Sequence, residues 1–200
     1  MLLRVWKPHA AELGLIIGFY LIYLLTRGLF YAHTDETGLQ NASRVVFLEN
    51  GLGIFWEPAW QAWMLGHARF LVAVLNWVYI ITYWPVVMGV GLVLFVRNLP
   101  RFYYYRTVVA VSLVFALVIF AVYPVSPPFD ISDHFVDTIQ VLGPSIYVGS
   151  AMAVTYNTHA AMPSLHFCWT LILGVLFLRS LRGWVKVLGV LYPTMTFLAI

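Results

Sequence analysis

Apolar residues fall along this chain in long blocks separated by short polar breaks. The first block, Leu13 to about Ala32, is long enough to cross a bilayer and shows no small-residue cleavage site, so it reads as a retained first span. From His33 to Arg69 the pattern changes. Asp35, Glu36, Arg44, Glu49 and Glu57 alternate at helix-like spacing with Phe47, Leu48, Phe55, Trp56, Trp60, Trp63 and Met64, which suits a helix lying in the membrane interface. Phe70–Val96 is a second span, kinked at Pro85. Arg97, Arg101 and Arg106 are expected in a short loop before a third span, Thr107–Tyr123. Pro124–Pro163 reads as a loop with Asp130, Asp133 and Asp137 but no Lys or Arg. A fourth span begins near Leu165 and ends at Arg179, and a fifth apolar run follows Arg182 and Lys186 to Ile200. The pattern predicts an all-α, polytopic membrane helical bundle, one domain over residues 1–200, with five spans visible.

Composition sharpens this reading. The chain is 62% hydrophobic and 10% charged, whereas about a quarter of a soluble domain's residues are charged. Its basic residues are scattered between apolar blocks, which excludes a nucleic-acid stripe. Cys168 is the single cysteine, no zinc-type spacing or Gly-rich phosphate loop occurs, and neither a metal nor a cofactor is expected. Arg4 and Lys7, then Arg97, Arg101 and Arg106, then Arg179, Arg182 and Lys186 fall on one side of the predicted bundle. The positive-inside rule makes that side, with the N-terminus, cytoplasmic. The acidic loop and the Trp-rich segment then share the exoplasmic side, whether periplasmic, extracellular or lumenal. Asn41-Ala42-Ser43 matches a glycosylation sequon, a short pattern that carries weight only in a secretory setting.

The chemistry gathers at Ala160-Ala161-Met162-Pro163-Ser164-Leu165-His166. Pro163 disfavours helix in the residue before it, and Ser164 is a natural N-cap for the apolar run that follows. Open backbone N–H groups at a helix start attract an anion such as phosphate. A hydroxyl, those donors and the His166 imidazole in one place form a candidate site for phosphate binding and proton transfer. The plainer alternative is a serine that only caps and an interfacial histidine. Asn157 and His159, just upstream, are candidate lining residues, while His134 and Asp137 read as loop residues.

Ala160–His166 resembles the Pro-Ser-x-His motif of the type 2 phosphatidic acid phosphatase superfamily, and most resembles its inositolphosphotransferase-like branch, which includes inositol phosphorylceramide synthases. Tyr123-Pro124-Val125-Ser126-Pro127-Pro128 is similar to that branch's first motif, which puts Pro127 and Pro128 beside the site. Glu49–Glu57, with Gln61 after it, is similar to an outer segment of the same branch. The resemblance implies about six spans and metal-free phosphoryl transfer through a phosphohistidine, with membrane lipids and a lipid phosphate as partners. Within it, His166 is the general acid, while Ser164 and the Leu165 N–H hold phosphate oxygens. Acting on water makes the protein a phosphatase, and acting on a lipid hydroxyl makes it a headgroup-transferring synthase. Two features depart from the family pattern. Phe129 stands where a cation is usual, with Arg44 or Arg69 as substitutes on the same face. The third motif, with its nucleophilic His and Asp, is not found before Ile200, so the expectation is a truncated chain. Both departures keep open a non-catalytic lipid-binding or scaffold protein.

Overall fold

The computed structural model describes residues 35–132, 134–144 and 161–200, together with residues 12, 14, 15, 17–19, 21 and 22. The described residues are helical, with no strands. Most of the expected first span, and the candidates Asn157 and His159, lie outside them.

The interfacial segment forms two helices, α1 (Asp35–Leu52) and α2 (Glu57–His67). The turn between them passes through Gly53 at φ 69°, a conformation that glycine adopts without strain. Trp56, Trp60 and Trp63 are exposed along α2; Trp60 and Trp63 stack at 5.6 Å, and Trp63 stacks on His67 at 5.4 Å. A row of exposed tryptophans suits a headgroup layer better than bulk water.

Helices α3 (Arg69–Trp77) and α4 (Tyr83–Arg97) form one apolar rod of 29 residues, joined by a π-helical turn at Val78–Thr82. Pro85 lies three residues beyond the end of that turn, so the carbonyl four residues back, that of Ile81, falls within it. Proline has no N–H and crowds the carbonyl four residues back, and the wider turn absorbs both effects without ending the helix. The connection to the next helix is the single residue Asn98. Its side chain accepts from Arg101 N at 3.2 Å and caps α5 (Leu99–Val122). The expected loop from Arg97 to Arg106 is therefore not a loop. Arg101 and Arg106 lie on the first turns of α5, because an Asn cap followed by Pro100 starts a helix at once.

Beyond Val122 the chain makes a 3₁₀ turn (Pro128–Asp130) and a short helix, α6 (Thr138–Leu142). Asp137, read from the sequence as a plain loop residue, caps α6 by accepting from Ile139 N and Gln140 N. Two amides pin this region. Asn76, buried in α3, donates to Thr138 O and Gly143 O and accepts from Thr138 Oγ1. Gln61 of α2 grips Val136 with both ends of its amide, donating to its carbonyl at 3.0 Å and accepting from its N–H at 2.8 Å.

Helix α7 (Leu165–Ser180) and helix α8 (Leu188–Ala199) close the bundle as a hairpin. They meet at Gly174 and Gly189, where a Cβ on either residue would lie within 2.7 Å of the other's carbonyl oxygen. Small residues permit such backbone contact between membrane helices. α8 then packs Met195 and Ala199 on the Met64, Val72 and Leu75 core.

Among the described residues two helical segments, Arg69–Arg97 and Leu99–Val122, are long and apolar enough to span a membrane. The expected fourth and fifth spans correspond to shorter apolar helices. α7, at 16 residues, is about 24 Å long and begins after the Ser164 cap. The helical architecture and these two segments suit a membrane protein.

Candidate active site

Ser164 is in extended conformation, and its Oγ accepts from Phe167 N at 3.3 Å, the cap that the sequence predicts. Because that oxygen accepts from the backbone, its own proton is available to an anion. The N–H groups of Leu165 and His166 belong to the first turn, which has no intrahelical acceptors.

His166 is half-buried on the inner face of α7 and packs against two tyrosines of the long rod. Its ring lies 4.4 Å from Tyr79 and 4.1 Å from Tyr83, at interplanar angles of 27° and 35°. The Tyr79 hydroxyl is 3.4 Å from His166 Nδ1. Below them Trp169 stacks on Tyr83 at 6.1 Å and donates from Nε1 to Ser112 Oγ at 3.1 Å, which joins α7 to α5. Leu165 and Cys168 pack on the same Tyr83–Leu113–Trp169 core, so Cys168 is a packing residue. Tyr79 and Tyr83 are ten and fourteen residues inside the helical rod that starts at Arg69. His166 is therefore recessed about 15–21 Å along that rod from Arg69.

The Tyr123–Pro128 segment lies alongside. Ala161 N donates to Val125 O at 3.1 Å, so the segment leading to Ser164 is tied to the first motif through Val125 rather than through either proline. Pro127 is buried and Pro128 exposed. On its other side the segment is held by α1. Ser126 N donates to Gly38 O at 3.2 Å, and the buried Asn41 donates from Nδ2 to Pro124 O at 2.9 Å. Asn41 also accepts from Arg44 Nη1 at 3.4 Å. This overturns the sequon as a glycosylation acceptor, since a buried amide bonded at both ends offers no access for a glycan. It also places the cation Arg44 one residue contact from the first motif. Arg69 has no such link among the described residues.

Sequence reasoning missed Tyr79, Tyr83, Trp169 and Ser112. All sit in apolar spans, where an aromatic reads as packing and only proximity to His166 marks it out. Among the described residues no three His, Cys, Asp or Glu side chains converge to hold a metal. No curated protein and no solved structure matches the chain. A family model described as the PAP2 superfamily matches residues 43–200, a range that takes in α1 from Ser43, the Tyr123–Pro128 segment and the Ser164–His166 turn. The chain belongs to the PAP2 superfamily.

Proposed function

We propose that the protein is an integral-membrane phosphatase or phosphotransferase acting on a lipid phosphate or a lipid headgroup phosphoester. In this reading the Ser164 hydroxyl and the Leu165 N–H hold phosphate oxygens, and His166 gives its proton to the leaving oxygen. The observation that carries it is the joint geometry of Ser164 and His166. The cap uses the hydroxyl's lone pair and leaves its proton free, while the imidazole two residues on is held by Tyr79 and Tyr83. Phosphoryl transfer needs positioning and charge stabilisation above all. Arg44, linked through Asn41 to Pro124, supplies the cation that Phe129 does not.

The finer reading assigns the protein to the inositolphosphotransferase-like branch, with a phosphohistidine intermediate and the site on the exoplasmic side. Charge placement supports that orientation. Arg97, Arg101, Arg179, Arg182 and Lys186 gather at the end of the bundle away from Ser164.

The test is turnover by the purified natural protein in nanodiscs, with phosphatidic acid for release of inorganic phosphate and with an acceptor alcohol for headgroup transfer. His166→Ala is expected to lower the rate by about 100-fold or more, the usual contribution of a general acid. Unchanged turnover in that variant sinks the assignment. One observation favours a second reading as a non-catalytic lipid-binding protein: no Lys or Arg occurs between Arg106 and Arg179. Lipid-phosphate binding with no turnover would put that reading ahead.

A further inference from the structure

The end of the bundle opposite Ser164 holds a cleft of about 370 Å³, lined by Pro100, Arg101, Tyr104 and Tyr105 of α5 and by Arg179 and Ser180 of α7. Its volume is within the range of small-ligand sites. Arg101 is fixed at its edge, donating from Nη1 to Ser180 Oγ at 3.2 Å, which also ties the start of α5 to the end of α7. The charges here are unbalanced. Segments 97–106 and 179–186 together hold Arg97, Arg101, Arg106, Arg179, Arg182 and Lys186 with no Asp or Glu. Arg106 is already satisfied: it pairs with Glu12 and lies 5.2 Å over the Tyr103 ring. Arg101 and Arg179 have no carboxylate partner among the described residues.

A general cytoplasmic excess of positive charge explains that such residues exist. It does not explain why two guanidiniums, a serine hydroxyl and two tyrosines line one concavity. Guanidinium groups bind phosphate through paired N–H donors, and basic pockets between spans hold anionic headgroups. We propose that this cleft is a second phosphate-binding site, separate from Ser164 and His166, where Arg101 and Arg179 hold a phosphate group on a membrane lipid or in free form.

The experiment uses the purified full chain in the His166→Ala background, which keeps the first site from turning over any probe. Retention of phosphatidic acid is measured in nanodiscs of otherwise neutral lipid, and inorganic phosphate binding is measured separately in detergent. Arg179→Gln removes a cleft charge without touching the Arg101–Ser180 bond, and Arg182→Gln removes the same charge just outside the cleft. Arg179→Gln is expected to weaken binding of one or both probes about tenfold more than Arg182→Gln, as loss of a charge-assisted hydrogen bond requires. Loss with phosphatidic acid alone assigns the cleft to lipid headgroups, and loss with inorganic phosphate as well assigns it to the phosphate group itself. Equal effects of the two substitutions on both probes would overturn the proposal and leave only diffuse surface charge.

Discussion

The Tyr83 ring and the His166 imidazole lie 4.1 Å apart, centroid to centroid, with Tyr83 itself buried against Trp169. The histidine is thus seated on a residue that the protein core already holds still. Tyr79, one turn earlier on the same rod, adds a second ring and a hydroxyl directed at Nδ1. In the proposed reading Nε2 is the nitrogen that gives its proton to the substrate, since Nδ1 is the one that meets Tyr79.

Tyr79 is a positioning residue in this arrangement. Tyr79→Phe keeps the stacked ring and removes the hydroxyl, and a single hydrogen bond of this kind contributes about 0.5–1.5 kcal/mol. The expected outcome is a fall in kcat of roughly two- to tenfold with KM unchanged. A change in KM alone would mean that Tyr79 contacts the substrate rather than aligning His166.

Gly174→Ala is expected to destabilise the protein by about 1–3 kcal/mol, the usual cost of overpacking. The new Cβ would lie 2.5 Å from the Gly189 carbonyl oxygen, and a backbone atom cannot swing aside as a side chain can. Gly66→Ala is the control, since a Cβ there meets nothing within 4 Å. Thermal unfolding in detergent reads both, and equal melting temperatures for the two variants would contradict the backbone contact.

Glu49 sets a pH dependence in the interfacial segment. Partial burial, and after it the charge of Glu57, raise its pKa above the ordinary 4.5. A carboxyl raised in the folded state binds its proton more tightly there than in the unfolded chain. Its contribution to stability is therefore full below the ordinary value and is lost as pH rises through the raised one. Unfolding midpoints are expected to fall across that window in the natural protein, and by less in Glu49→Gln. Identical pH profiles for the two would remove Glu49 as the cause.

The sequence made the Ser164 cap legible because it is a local device: a polar residue after proline and before an apolar run. The Arg97–Arg106 segment was misread as a loop because charge at a span end looks the same on a helix as off it. Only the bond from Asn98 to Arg101 N separates the two. Asn41 looked like an acceptor for sugar because its burial against Pro124 joins residues 83 positions apart. The same holds for His166 and Tyr79, 87 positions apart: periodicity within one helix cannot report which aromatic of another it meets.

The Gly174–Gly189 contact has a consequence for chemistry as well as stability. Backbone packed too closely to admit a Cβ on either side forms a hard stop, with no rotamer that can yield when α7 is pushed along or about its axis. His166 is eight residues up the same helix, about 12 Å away. In the proposed reading the proton donor's place is thus indexed from a point eight residues outside the site, and a methyl group added there is expected to shift His166 without changing any residue around it.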